Sequence, residues 1–292
     1  MSGEKILVLN ATGKVGRNAC RALKEAGFDV YGTTRSNTGD LIKLGVNPVI
    51  CNYTERSEIE CVLAETGAKK IFAITDYFGA AKSKSEVEIQ HGKNAIDAAK
   101  ANGVDHFIFV SVVDVEHFNE HVMHIKTKGV IEEYLQKSDV PFSILRPTAF
   151  FENLDDPKNW NPLKKGAIKF LSTKRIKYCA TYDIGRAAAI MFKSRDAWLG
   201  RSLDVIGWEG DLSDVAKALE KVGGVPVKCK LAMPIFLRRL FLKDLHNMFL
   251  YFESGGPKGS PSDFKKIIPD ALSAEDWFRF HGSYSNGEKI AP

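Results

Sequence analysis

Two side chains that can carry a proton lie four residues apart, at His124 and Lys128. On a helix this spacing places both of them on one face. A histidine exchanges its proton near neutral pH, and a lysine can donate a proton or hold a ligand hydroxyl. Lys128 and His124 are therefore the candidate catalytic residues. The alternative stays open that this helix face binds a ligand or solvent without chemistry, because a sequence does not report pKa values.

A loop rich in small residues follows the first apolar run of the chain, which extends from Lys5 to Leu9. The run has the length of a strand, and apolar residues recur at helical spacing after the loop. A strand, a tight turn and a helix in this order aim backbone N–H groups at a phosphate. The usual first glycine is replaced by Asn10, which tolerates positive φ. A plain turn that needs small residues for packing is the alternative. The candidate phosphate-binding residues are Asn10, Ala11, Thr12, Gly13, Lys14, Val15 and Gly16.

The second predicted strand ends without a carboxylate, at Arg35, Ser36 and Asn37. A site for NAD(H) usually has Asp or Glu at this place to hold the ribose 2′-hydroxyl. An arginine can instead clamp a 2′-phosphate and stack on adenine. The sequence therefore favours NADP(H) over NAD(H) as the cofactor, and a solvated surface arginine is the alternative.

Apolar strands alternate with helical segments from the start of the chain to Pro147. This alternation predicts βαβ units, a parallel sheet with right-handed crossovers, and helices on both faces. Shorter and more mixed segments follow. We predict an α/β fold in which a doubly wound, parallel-sheet Rossmann domain at residues 1–150 precedes a smaller mixed α/β cap at residues 151–292. Some segments of the second part are expected to return to the sheet.

The composition limits the function classes. The 292 residues are 44% hydrophobic with a net charge of +5 that no basic cluster carries, which does not favour direct nucleic-acid contact. Five scattered cysteines without a CxxC pair argue for a reducing compartment. The chain shows neither a signal-peptide pattern nor an apolar run long enough for a membrane span. We predict a cytoplasmic location, with the nucleus left open.

A group of histidines precedes Lys128. His117, His121 and His124, with Glu120, have a spacing that could present a metal-binding face on a helix. No distant ligand is implicated, so we predict no metal site.

The segment from Ile235 to Lys243 could be taken for a basic amphipathic membrane helix. Its apolar residues fall on most helix faces. We therefore predict that it is buried in the cap, with Arg238 and Arg239 snorkelling or paired, and that the protein makes no membrane contact.

Together these motifs resemble the NmrA-like family, a group of atypical members of the short-chain dehydrogenase/reductase superfamily. The resemblance covers nearly the whole chain and is most specific between Lys128 and Asn153. It departs from the family pattern at Asn10, where glycine is usual, and at Gln90, where some relatives have a cofactor-binding lysine. The resemblance implies a cofactor that contacts Asn10–Val15 and Arg35–Asn37 with its adenosine and phosphates. It implies further contacts with Thr75 and Tyr77, and a nicotinamide end at Lys128, Phe150, Phe151, Glu152 and Asn153.

Standard members of that superfamily use a Tyr-x-x-x-Lys pair, in which the lysine lowers the pKa of the tyrosine. Here His124 occupies the tyrosine place, and Tyr134 lies on a different helix face. The favoured prediction is an NADP(H)-binding, redox-sensing regulator with weak or no dehydrogenase activity, which binds the small-molecule dinucleotide and a regulatory protein partner. The alternative is an NADPH-dependent reductase of a quinone or carbonyl that uses Lys128. A homodimer is left open.

Overall fold

The computed structural model of the chain describes residues 3–36, 38–117, 122–156 and 166–282. The predicted site residue Asn37, and Glu120 and His121 of the histidine group, lie outside these ranges. Two compact units interleave along the chain. Unit 1 comprises the described parts of Met1–Glu116, Met123–Arg146 and Ile184–Leu203, and unit 2 comprises those of His117–Val122, Pro147–Asp183 and Asp204–Pro292. The division after residue 150 stays a prediction.

The first half of the chain alternates strands and helices. Its elements are β1 Lys5–Val8, α1 Lys14–Glu25, β2 Asp29–Thr34, α2 Gly39–Lys43, β3 Asn47–Ile50, α3 Arg56–Thr66, β4 Lys70–Ala73, α4 Ser85–Ala101, β5 His106–Val110, α5 Met123–Gln136 and β6 Phe142–Pro147.

The second half is more mixed. Its elements are β7 Ala149–Phe150, a 3₁₀ turn Phe151–Asn153, β8 Ala167–Phe170, β9 Ile176–Cys179, α6 Thr181–Lys193, α7 Arg195–Trp198, β10 Ser202–Val205, β11 Trp208–Gly210, α8 Leu212–Gly223, β12 Lys228–Leu231, α9 Ile235–Phe241, α10 Lys243–Glu253, α11 Pro261–Lys265 and α12 Ala274–Phe280.

The described strands form one large sheet in the order β10-β6-β5-β4-β1-β2-β3. Each neighbouring pair from β3 to β6 is parallel, and Val8 of β1 lies level with Gly32 on one side and Phe72 on the other. The strand order reverses between β1 and β4. In open α/β sheets a ligand crevice forms outside the carboxyl ends of the strands at such a point.

Both faces of the large sheet are buried. Leu7, Ile71 and Phe107 belong to a core cluster with residues of α3, α4 and α5. Their neighbours along each strand point to the other face, and Ile6, Phe72 and Ile108 are equally buried there. The predicted doubly wound parallel sheet is confirmed.

Two glycines allow unusually close helix packing in unit 1. A Cβ on Gly92 of α4 would lie 2.7 Å from the side chain of Ile131 on α5, and a Cβ on Gly185 of α6 would lie 2.7 Å from Ala19 of α1. The first contact matters for the site, because it brings the residues one turn earlier on α4 and α5 together.

Unit 2 contains a three-stranded sheet, β11-β9-β7, and a two-stranded sheet, β12-β8. Its own core is rich in aromatic residues, including Phe151, Tyr178 and Trp277. The sequence predicts a single helix for residues 234–252, but the structure divides it at Leu242 into α9 and α10. The short strands β7, β8 and β11 are too brief to give a clear alternating pattern.

Candidate functional site

The loop between β1 and α1 has the backbone that its residue types predict. Asn10 has a φ of 54°, and its carbonyl accepts a hydrogen bond from the N–H of Gly13 at 3.1 Å. A Cβ on Gly16 would lie 2.1 Å from the Asn10 carbonyl oxygen, so only glycine fits at this approach. Gly13 caps α1 without a side-chain hydrogen bond, and the first turn has no acidic residue. The start of α1 therefore suits an anion.

The loop residues differ in how far they reach solvent. Thr12 and Lys14 are exposed, Asn10 and Gly13 are half-buried, and the other three, Ala11, Val15 and Gly16, are buried.

Arg35 and Ser36 are exposed directly after β2, and the Ser36 N–H donates to Oγ1 of Thr34 at 3.4 Å. Arg35 has no carboxylate partner among the described residues. Burial and then Asp76 raise the pKa of the Tyr53 phenol, while the positive charge of Arg35 opposes them. An exposed guanidinium without an ion pair has the properties needed to hold an adenosine phosphate.

Two predicted site residues lie together: Thr75, which follows β4, and Lys128, which is on α5. Nζ of Lys128 donates to the carbonyl oxygen of Thr75 at 3.0 Å and also to its hydroxyl. The third partner of Nζ is Oε1 of Glu88, at 2.7 Å, on α4. Glu88 also accepts hydrogen bonds from the hydroxyls of Thr75, at 2.8 Å, and Thr127.

This cluster, which we call the Glu88 cluster, consists of Glu88, Lys128, Thr75 and Thr127. The Glu88 side chain is 0% exposed and that of Lys128 is 12% exposed. Burial raises the pKa of the Glu88 carboxyl. The charge of Lys128 and the hydrogen bonds from Lys128, Thr127 and Thr75 outweigh that effect and hold the pKa below its usual value. This lowered pKa favours the ionised form of the Glu88 carboxyl.

His124 contacts two aromatic rings. Its ring centroid lies 6.2 Å from that of Tyr77 and 5.3 Å from that of Phe78, and the two aromatic rings are 5.1 Å apart at 89°. Phe78 is 53% exposed. These three side chains form an aromatic surface at the first turn of α5, which we call the His124 surface.

The predicted residues Phe150, Phe151, Glu152 and Asn153 all lie in unit 2. Phe151 is 0% exposed and stacks on Tyr178, with ring centroids 5.4 Å apart and planes 4° from parallel. Its ring therefore offers no exposed surface to a ligand. Phe150 and Asn153 are half-buried. The predicted cofactor contacts of these four residues stay predictions.

The Glu152 carboxylate is bound by hydrogen-bond donors of two other residues. Its carboxylate accepts hydrogen bonds from the N–H of Thr181 at 3.0 Å, the hydroxyl of Thr181 at 2.7 Å and Nε1 of Trp277 at 3.1 Å. The residue as a whole is partly exposed, but burial of the carboxylate raises its pKa, and these donors only partly offset the rise.

Sequence reasoning missed Glu88 and Thr127. The available signal is a stripe on α4 at helical spacing, Glu88, Gly92, Ala95 and Ala99, all of which are buried. An acidic residue in such a stripe needs a buried partner. The sequence does not say that the partner is Lys128, which is 40 residues away.

A small cavity in unit 1 lies beside β4, β5 and α4. Its lining includes His91 of α4 and three residues from segments that follow strands, Leu9, Tyr53 and Thr75. Nδ1 of His91 and Oγ of Ser111 are buried and have no hydrogen-bond partner among the described residues. Unpaired buried polar atoms and an uncapped helix start fit a polar ligand such as a dinucleotide.

The family assignment is decided by a family model. The model of the NmrA-like family matches residues 2–272. The chain belongs to the NmrA-like family. It therefore has the NAD(P)-binding fold that this family shares.

Known proteins agree with this assignment to the family. The chain is 28% identical to the photosystem II assembly factor Ycf39 of Guillardia theta over 229 residues, which cover 75% of this chain and 70% of that protein. It is similar in fold to the negative transcriptional regulator NmrA in complex with NADP, with a TM-score of 0.75, 16% identity and 99% of each chain covered. The NADPH-dependent quinone oxidoreductase QOR2 of Escherichia coli, complexed with NADPH, gives a TM-score of 0.70 at 19% identity, covering 93% of this chain and 97% of that one.

Metal-binding clusters and membrane-spanning helices are two further features that bear on function. In the described ranges, no group of three or more His, Cys, Asp or Glu side chains is placed to hold a metal ion. No described helix combines the length and the apolar character that crossing a bilayer requires.

Proposed function

We propose that this NmrA-like protein binds NADP(H) as a signal, with weak or no dehydrogenase activity, and that occupancy by the dinucleotide changes its association with a regulatory protein partner. The proposal rests on the hydrogen bonds that the Lys128 ammonium donates. A lysine ammonium has three N–H donors. All three are used inside unit 1, by the carbonyl and hydroxyl of Thr75 and by Glu88.

An acid catalyst must release its proton to the substrate. If Lys128 did so, it would break one of these hydrogen bonds and leave the buried Glu88 carboxylate without its cation, which is costly. The tyrosine that would normally donate the proton is replaced by His124, whose ring packs against Tyr77 and Phe78. The geometry therefore supports a binding site more than an acid/base site.

We infer a place in unit 1 for each part of the dinucleotide. The β1–α1 loop and the uncapped start of α1 would receive the pyrophosphate, and Arg35 would hold the 2′-phosphate. Thr75 and Tyr77 would line the path from there to the nicotinamide. When bound, NADPH supplies a hydride, and the Glu88 cluster would fix the backbone of Thr75 beside it.

The names of two similar proteins are consistent with this proposal. NmrA is named as a negative transcriptional regulator, and Ycf39 as an assembly factor. Neither name describes a reaction.

A reductase of a quinone or carbonyl is the second candidate, and the His124 surface favours it. Phe78 is 53% exposed beside the rings of Tyr77 and His124. A flat aromatic substrate such as a quinone could stack on these rings. QOR2, which has this fold, is named as a quinone oxidoreductase.

Turnover separates the two functions. We expect NADPH to bind, seen as a change in its fluorescence, while its absorbance stays constant in the presence of a panel of quinones and aldehydes. Steady oxidation of NADPH that is lost in Lys128→Arg would establish the reductase instead. This variant keeps a cation beside Glu88 but has no proton to give, because arginine stays charged.

Cofactor preference tests the role of Arg35. Arg35→Ala should weaken NADPH binding about 5- to 150-fold, which corresponds to the roughly 1–3 kcal/mol of a charge-assisted hydrogen bond. NADH binding should not change. Lys43→Ala, which removes another exposed cation, serves as the control. Equal affinities of the wild-type protein for NADH and NADPH would contradict the assignment.

A further inference from the structure

The exposed apolar side chains of the protein are concentrated on two consecutive helices. Of nine large apolar residues that are exposed in the described ranges, five lie on α9 and α10. Phe236, Leu240 and Phe241 are 69–70% exposed, Ile235 is 56% exposed, and Leu250 is 49% exposed. We call these five residues the α9–α10 patch. Single exposed apolar residues are ordinary, but clusters of them indicate an interaction site.

The orientation of α9 is fixed by a buried arginine. Arg238 is 1% exposed, and its guanidinium donates to the carbonyl oxygen of Leu171 at 2.5 Å, to Glu253 at 3.1 Å and to Nδ1 of His246 at 3.2 Å. Phe236 and Leu240 are two positions before and after Arg238, so they lie on the opposite side of the helix. The inward arginine therefore turns Phe236 and Leu240 outwards, and Ile235 and Phe241, three positions from Arg238, are exposed at its flanks. The prediction that this segment is buried is therefore wrong for its four exposed apolar residues, whereas Arg238 is paired, with Glu253, as one of the two predicted arrangements.

The charged residues beside α9 along the chain are mostly basic. The sequence between Lys221 and Lys243 contains no carboxylate, and Asp244 follows it directly in the first turn of α10. Lys228 and Lys230 on β12, Arg239 on α9 and Lys243 on α10 are exposed, and none of these four forms an ion pair within the part of the chain that the structure describes. The fifth basic residue, Arg238, is already used by Glu253.

Exposed Phe and Leu on a short helix, with unpaired Lys and Arg beside them, is the composition of helices that lie in the surface of an anionic bilayer. The apolar rings enter the boundary of the acyl chains, and the cations contact lipid phosphates. We propose that the α9–α10 patch docks unit 2 on a membrane surface that contains anionic phospholipid. The contact is peripheral, and it is independent of whether the dinucleotide site is catalytic or regulatory.

Vesicle flotation tests the proposal with the full chain. The wild-type protein should float with vesicles of phosphatidylcholine mixed with phosphatidylserine and stay behind with phosphatidylcholine alone. High salt should weaken the binding, because screening shortens the reach of the cations. No flotation with the anionic vesicles at low salt would overturn the proposal.

Paired variants separate the apolar and the charged contributions. Phe236→Ser with Phe241→Ser, and Arg239→Gln with Lys243→Gln, should each reduce the bound fraction on the order of tenfold or more. Phe280→Ser, at a residue of similar exposure on α12, and Lys24→Gln with Lys43→Gln, which makes the same charge change in unit 1, should bind as the wild type does. NADPH affinity and thermal unfolding report whether each variant is folded.

Two outcomes would show that the patch does not dock on a membrane. Flotation that persists in both patch variants would place the membrane contact elsewhere. A dimer in analytical ultracentrifugation that dissociates in the Phe236, Phe241 variant, without any vesicle binding by the wild type, would make the patch a contact between two copies of this chain. Either result overturns the membrane proposal.

Discussion

Glu88 in unit 1 and Glu152 in unit 2 are both desolvated carboxylates, yet their pKa values shift in opposite directions. Each accepts hydrogen bonds from a threonine hydroxyl and from other donors. The difference is Lys128, the cation beside Glu88. Burial raises both pKa values, and neutral donors only partly offset that effect, whereas a cation with good geometry reverses it. The comparison shows what an ion pair adds to a buried polar cluster.

The strongest test of this comparison removes the cation. Lys128→Met leaves Glu88 with neutral donors only, like Glu152, and should lower the free energy of unfolding by about 3–5 kcal/mol near neutral pH. In the wild type, the lowered pKa of Glu88 gives stability above the unfolded pKa of the carboxyl. In the variant the pKa is raised, so stability falls as the pH rises above that value. Urea unfolding at an acidic and a neutral pH measures both effects.

Lys126→Met is the matched control for that experiment, because Lys126 is an exposed lysine on the same helix. It should change the free energy of unfolding by less than about 0.5 kcal/mol. If Lys128→Met were as mild as this control, the ion pair would not explain the lowered pKa of Glu88.

His106 extends the comparison to a buried base that also lacks an opposite charge. Burial, with the charges of Arg195 and Lys70, lowers its pKa from 6.5 to about 4. Nε2 contacts Oγ of Ser143 at 2.8 Å, and Nδ1 has no partner among the described residues, so a second proton would be buried unpaired. The unfolded chain binds a proton below its pKa of 6.5 and the folded chain does not. Stability is therefore lost as the pH falls from there towards 4.

His106→Gln removes this titration. Between neutral pH and pH 4 the wild type should lose up to about 3 kcal/mol more than the variant, because each pKa unit corresponds to about 1.4 kcal/mol. Unfolding by urea across this range gives the difference, in which the other titrating groups cancel. Parallel pH profiles for the two proteins would mean that His106 has the same pKa in the folded protein as in the unfolded chain.

The sequence was sufficient for the parts that depend on local pattern. Alternating apolar strands and helices predicted the parallel sheet, and the residue types from Asn10 to Gly16 predicted the turn with its positive φ. It was not sufficient where the outcome depends on packing between distant segments. Lys128 meets Glu88 only because Gly92 lets α4 approach α5, and no local pattern encodes that distance.

The same reason explains the error on α9. Apolar residues on most faces of the segment Ile235–Lys243 predicted burial, with Arg238 and Arg239 snorkelling or paired. Arg238 points inwards because Glu253, on the next helix, and the carbonyl of Leu171, on a distant segment, accept its donors. The position of a buried charged residue is therefore the hardest to predict from a sequence, since its partners are determined by the tertiary fold.

Replacing each glutamate by its amide separates charge from shape. Glu88→Gln keeps an oxygen for Lys128 and Thr75, and Thr127 can turn its hydroxyl towards the carbonyl of His124, to which it already lies at 3.3 Å. Only the negative charge is lost. We expect a loss of about 2 kcal/mol in the free energy of unfolding at neutral pH, the typical worth of a hydrogen bond to a charged group. A neutral effect would show that Lys128 needs no anion.

Glu152→Gln should have the smallest effect and the opposite dependence on pH. Because the pKa of Glu152 is raised in the folded protein, the wild type loses stability as the pH rises above the unfolded pKa, where the unfolded carboxyl has already released its proton. Glutamine does not ionise, so the variant avoids that loss. At acidic pH we expect it to be within about 1 kcal/mol of the wild type, and its relative stability should increase towards neutral pH. The opposite result would be a Glu152→Gln variant that loses as much stability at neutral pH as Glu88→Gln does. In that case the donors on Thr181 and Trp277 would be sufficient to hold an ionised carboxylate. The cation beside Glu88 would then not explain the difference between the two sites.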